Sequence, residues 1–145
     1  MSAIRHALNW AISRLLRRWA DAHRHMGNAY GNREEHRAAV GNYTRAILLD
    51  PAYAYCYFSR GVLRCRELGE YAAAIEDLGH VIELDPNWAE AFFNRGLAYS
   101  MTGQYDEAIA DLKRYLEEGS DQFWLDSARR QLEELGEMVE ASDGA

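Results

Sequence analysis

The feature that most limits what this chain can fold into is a string of residues that occurs twice at a fixed distance. Residues 51–78 read PAYAYCYFSRGVLRCRELGEYAAAIEDL, and residues 86–112 read PNWAEAFFNRGLAYSMTGQYDEAIADL. Arg60 and Gly61 answer Arg95 and Gly96, while Tyr71, Ala74 and Ile75 answer Tyr105, Ala108 and Ile109. From Pro51 to Pro86, and from Gly61 to Gly96, the step is 35 residues. Each copy holds two helical patterns joined by a turn that contains glycine. In the later copy Ala89, Phe92, Gly96 and Tyr99 share one helix face, and after Gly103 so do Tyr105, Ala108, Ile109 and Leu112. Neither helix can bury its apolar face alone. A period of this size therefore predicts stacked helix pairs, in which each pair is covered by the next.

Length and charge narrow the class. At 145 residues, 48% of them apolar, the chain suits one domain with one core. No stretch approaches the roughly 18 uncharged residues of a membrane span, and the first residues lack the apolar run and cleavage site of a secretory signal. A cytoplasmic protein is the expectation. Cys56 and Cys65 lie nine residues apart on one predicted helix, too far along its axis to bridge, so both are expected as reduced packing residues. Up to Leu48 eight arginines stand against Asp21, Glu34 and Glu35, a net +5, whereas the remaining 97 residues carry eight basic and twenty acidic groups, a net -12. A body so acidic is a poor match for nucleic acid.

Residues 3–19, AIRHALNWAISRLLRRW, form a predicted amphipathic helix with four arginines and no acid. Ile4, Leu8, Ala11, Ile12, Leu15 and Trp19 cluster on one side, opposite His6, Asn9, Ser13 and Arg17. Three fates are open to it. A solenoid needs its end repeat covered, so packing on the first repeat as a cap is the leading expectation. Docking on an anionic membrane or on a partner is the second, and a transit peptide the third.

From Ala20 to Pro51 a further copy follows, with Gly27 at the small position of the first helix, Tyr30 three residues later, and Ala39, Tyr43, Ala46 and Pro51 along and after the second. With three successive copies the chain resembles the tetratricopeptide repeat family, a 34-residue helix-turn-helix unit. His23 and Met26 depart from the family's usual Trp and Leu. The second repeat has one extra residue between Gly61 and Gly69, eight steps where Gly96 to Gly103 takes seven, expected to lengthen the first helix or bulge its end. In the third, Tyr115 replaces a small residue and EEGSDQ breaks the pattern. Ser120 or Asp121 then begins a last helix bearing Leu125, Ala128, Leu132, Leu135 and Val139, similar to the helix that closes such arrays. The resemblance implies an all-α, right-handed α-solenoid of three repeats. The expected segments are a basic helix over 1–19, repeats at 20–53, 54–88 and 89–119, and a capping helix and tail over 120–145.

The resemblance also implies a concave face lined by the first helix of each repeat. Its ligand-facing positions fall at Asp21, Arg24, Asn28 and Asn32, at Tyr55, Phe58, Val62 and Arg66, and at Glu90, Phe93, Leu97 and Met101. The spacing agrees, since Tyr55, Phe58 and Val62, like Phe93, Leu97 and Met101, sit three and four apart on faces that Gly61 and Gly96 do not use. These apolar residues are the expected anchors for an extended or helical protein segment, with Arg24, Arg66 and Asn94 orienting it and Asn28 in the same groove. Against this stands the alternative that one of the chain's own end helices fills the face. The family's clamp for C-terminal carboxylates is matched only at Arg24, Asn28 and Asn94, because Ser59 stands in place of an Asn and Glu90 in place of a Lys. Glu90 would repel a carboxylate.

Catalysis finds little support. There is no phosphate-binding glycine loop, HExxH, CxxC pair or nucleophile elbow, and His23 and His25 point about 200° apart on a helix, unable to share a metal. No cofactor or metal is expected. The expected function is a protein-binding adaptor. The alternative is a structural or peripheral membrane subunit attached through Ile4, Leu8, Ile12, Leu15 and Trp19, and self-association is a third course.

Overall fold

The computed structural model describes residues 1–144, with every side chain among them except that of Asp143. Over these residues the fold is all-α: seven helices and no strand. They are α1 (Ser2–Gly31), α2 (His36–Leu49), α3 (Ala54–Arg66), α4 (Tyr71–Leu84), α5 (Ala89–Met101), α6 (Tyr105–Glu118) and α7 (Gln122–Asp143). The chain forms two compact units, Met1–Arg60 and Gly61–Ala145, with α3 running through the boundary.

In the first unit α1 and α2 pack against each other, and the contact is set by the absence of a side chain. A Cβ placed on Gly27 would lie 2.7 Å from the Tyr43 ring. Only glycine therefore lets that ring come so close to α1. Around the crossing Ala20, Ala39 and Ala46 are fully buried, and the Tyr43 hydroxyl donates to Asn28 Oδ1 at 2.6 Å.

The N-terminal helix does not fold back as a cap. It is continuous with the first helix of the first repeat, and residues 1–19 are all exposed, with Ile4 at 65% and Trp19 at 58%. Length explains this. α1 has 30 residues and α2 has 14, so at a rise of 1.5 Å per residue the first spans about 45 Å and the second about 21 Å. The first half of α1 has no helix of its own unit beside it. Its last anchor is Arg17, which approaches Asp50 at 3.7 Å and lies over the Tyr53 ring.

The extra residue of the second repeat lies in a turn. α3 and α5 are equally long at 13 residues, and residues 67–70 bulge at the end of α3, where Leu68 N–H donates to Leu63 O and Glu70 N–H to Arg64 O. Gly69 has φ of 66° there. Glu34, one step of 35 residues upstream, holds the same left-handed conformation with φ of 61°.

The second unit contains the larger core. A Cβ on Gly61 would meet Leu78 Cγ at 2.9 Å, so here too a bare backbone on the first helix receives a side chain of the second. Arg95 reaches across to α6 and is held by Asp111 through two hydrogen bonds of 2.7 and 2.9 Å, while Arg64 donates to the buried Asp77 at 2.9 Å. Asp121 caps α7, accepting from the backbone N–H groups of Phe123 and Trp124. The helix then lays Ala128 and Leu135 into a cluster with Phe93, Leu112 and Tyr115, flanked by Trp124, Leu125 and Leu132. The closing helix expected from the sequence is in place.

Candidate partner-binding site

In the first unit three of the expected residues come together. Tyr43 and Tyr55 both donate to Asn28 Oδ1, at 2.6 and 3.3 Å, so what Asn28 still offers is its amide N–H pair. Arg24 places its guanidinium 5.6 Å from the centre of the Tyr55 ring and donates to His25 Nε2 at 2.8 Å. Its Nε is buried without a hydrogen-bond partner and 3.9 Å from Asp21 Oδ1, beyond bonding distance. Tyr55 is 38% exposed and Phe58 half-buried. The result is a cation stacked on an accessible aromatic ring beside an amide, able to hold a backbone carbonyl or a carboxylate next to an apolar side chain. Burial raises the Tyr43 phenol to about 12, so it remains a donor to Asn28 at neutral pH.

In the second unit two of the expected anchors, Phe93 and Leu97, belong to the core. Phe93 and Asn94 are buried, at 3% and 5% exposure. The Phe93 ring centre lies 5.1 Å from that of Tyr115 and 5.4 Å from that of Trp124, the latter pair T-shaped. Asn94 donates to Glu90 O and accepts from Arg66 Nε at 3.1 Å, and the Arg66 guanidinium stacks 5.0 Å above the Trp124 ring. Leu97 packs against the same cluster. Met101 is 61% exposed and borders a cleft of about 180 Å³ with Leu135 and Met138 of α7. Val62 is half-buried. The first-helix face of this unit is thus filled by the chain's own last helix, and Phe93, Asn94, Arg66 and Leu97 are not an open row of anchors. Trp124 was the missed residue. Its spacing of four from Ala128 and eleven from Leu135 marks it as part of the apolar stripe of α7.

The remaining sequence candidates lie on α1. Ile4, Leu8, Ile12, Leu15 and Trp19 are all more than half exposed, and the polar contacts upstream of Arg17 stay within the helix, such as Arg14 over the Trp10 ring. Among the described residues no helix is long and apolar enough to cross a membrane. Cys56 and Cys65 are free and buried. Burial pushes the Cys56 thiol up to about 12 and raises that of Cys65, which keeps both protonated and unreactive.

Comparison with known proteins adds family models and solved structures. Residues 63–103 match the model described as TPR repeat, and residues 89–118 match the one described as tetratricopeptide repeat. The TPR domain of Arabidopsis OM64 is similar at 26% identity and a TM-score of 0.76, covering 82% of this chain and 98% of that one. The second TPR domain of human RPAP3, solved in complex with the HSP70 peptide SGPTIEEVD, is similar at 25% identity and a TM-score of 0.70, over 86% of this chain and 98% of that one. MamA is similar at 34% identity and a TM-score of 0.64 over 68% of this chain, which spans 54% of the MamA chain. No curated protein sequence matches this one.

Proposed function

Because the chain belongs to the tetratricopeptide repeat family, we propose that it is a protein-interaction module that receives a segment of a partner on the first-helix face of its first unit, at Arg24, Asn28, Tyr55 and Phe58. The observation that carries this is the stack of Arg24 on the accessible Tyr55 ring beside Asn28. Charge, amide and aromatic surface meet there within one preformed framework, which lowers the entropic cost of binding. Support comes also from the RPAP3 domain, which takes a peptide. The partner segment is expected to place an apolar side chain against Tyr55 and Phe58 and a carbonyl or carboxylate oxygen against Arg24.

The test is to select displayed peptides on the intact chain and titrate a synthesised winner calorimetrically against the parent, Arg24→Ala and Tyr55→Ala. Each variant is expected to weaken binding about tenfold with an unchanged helical circular dichroism spectrum. Peptides that bind both variants as tightly as the parent would sink the proposal. SGPTIEEVD is the comparison ligand, expected to bind weakly because Ser59 and Glu90 replace two clamp residues. A second reading, attachment through α1, is favoured by the open stripe on that helix.

A further inference from the structure

The open stripe on α1 is longer than the N-terminal extension. Leu8, Ile12, Leu15, Trp19, Ala22, Met26 and Ala29 recur at alternating intervals of four and three over 22 residues, and every one of them is exposed. That is the spacing of a helix seam. Its lower half has a counterpart that shows what such a face accepts. When Gly27 is matched to Gly96, Ala22 and Ala29 fall on Ala91 and Ala98 of α5, both of them fully buried. Ala98 lies against Ala74 of α4 and Cys65, with Tyr71 and Ile75 around them. The face that α5 gives to the second helix of the preceding pair is open in α1.

We propose that this face of α1, from Leu8 to Ala29, seats one amphipathic α-helix with acidic flanks from a partner protein. Charge points to the flanks: Arg5, Arg14 and Arg18 border the seam, no acid precedes Asp21, and the first unit carries nine arginines against four acids. The helix that occupies the counterpart face has the complementary character. Residues 70–85, EYAAAIEDLGHVIELD, hold five acids and no Lys or Arg. A symmetric pair of α1 helices would instead bring two +5 units together. A lipid surface suits the upper half of the stripe, but large Trp19 and Met26 interleaved with small Ala22 and Ala29 make holes that the ridges of a helix fill and a bilayer does not.

The probe is a peptide of residues 70–85, cross-linked on its outer side to hold it helical, added to the full chain. It is expected to slow amide exchange over residues 8–29, to bind more weakly as salt rises, and to lose about tenfold in affinity in Leu15→Asp and Met26→Asp. Both substitutions fall on exposed positions, so a helical spectrum like the parent's is the check on folding. Tyr55→Ala leaves this binding unchanged, which separates it from the site on the opposite helix face. Three results would overturn the proposal: no binding of the peptide, protection of residues 8–29 by phosphatidylserine vesicles but not by the peptide, or a mass that rises with concentration in the parent and not in Leu15→Asp.

Discussion

The first half of α1 and the whole of α7 are both amphipathic end helices, and each fits the part of a cap, yet one stands in solvent and the other is built into the core. α7 places Ala128 and Leu135 beside Phe93 and Tyr115, with Leu132 packed against them. α1 leaves Ile4, Leu8, Ile12, Leu15 and Trp19 more than half exposed. The difference arises from the neighbours rather than from the stripes. α7 doubles back after Gly119 along α6, whereas α1 runs on past the end of the 14-residue α2. An apolar stripe states that a helix needs a neighbour, and the turns and helix lengths decide whether the chain supplies it.

The largest effect is expected where α7 meets the core. Phe93→Ala should cost about 3–5 kcal/mol, because it empties a site enclosed by Tyr115 and Trp124 and loosens the helix that closes the unit. Chemical denaturation read by Trp fluorescence measures it. A loss below about 1 kcal/mol would mean that Phe93 is a surface anchor after all, and that α7 is as free as the start of α1.

Gly27 tests whether the bare half of α1 rests on a rigid base. Gly27→Ala drives a methyl group into the Tyr43 ring, and that ring is tied by its hydroxyl to Asn28. Overpacking of this kind costs about 1–3 kcal/mol. Gly31→Ala, in the same helix with no atom within 4 Å of the added carbon, should be neutral or stabilising. Equal effects from the two substitutions would contradict the close crossing of α1 and α2.

Much of this was legible in the residues, and what was not has physical causes. The recurrence of Arg-Gly and of Tyr, Ala and Ile at one step revealed the helix pairs, because close crossings admit only small residues and the holes beside them require large ones. The stripe on α7 is visible in the spacing too, and the structure extends it to Trp124. The fate of Phe93 was not legible. Tyr55 and Phe93 both stand on first helices at ligand-facing positions, yet Tyr115 of α6 and Trp124 of α7 enclose Phe93 while Tyr55 stays at 38% exposure. Local periodicity gives a face, whereas its occupant comes from contacts between residues far apart in sequence. The fate of α1 was hidden for the same reason, since a stripe that seeks a cap and one that serves as a dock have the same spacing.

The turn that brings α2 alongside α1 offers a smaller test. Glu34 sits at φ of 61° where the matching turn has Gly69, and a side chain in that region costs about 1–2 kcal/mol. Glycine gives back part of this through the freer unfolded chain, so Glu34→Gly should raise stability by about 0.5–1 kcal/mol, seen as a higher denaturation midpoint. A fall would show that the turn does not need the left-handed conformation.

The smallest expected effect bears most directly on the comparison. Ile12→Asp puts a charge in the middle of the open stripe, where Ile12 is 52% exposed, and should shift stability by no more than about 0.5 kcal/mol. The same change at Leu132, half-buried against the core of the second unit, should be severe because the carboxylate would lose water with no partner to replace it. If Ile12→Asp costs more than about 1 kcal/mol, the stripe is covered within the free chain and α1 is a cap like α7. If it costs nothing in the free chain yet abolishes binding of the acidic helix, the stripe is bare because its neighbour belongs to another protein.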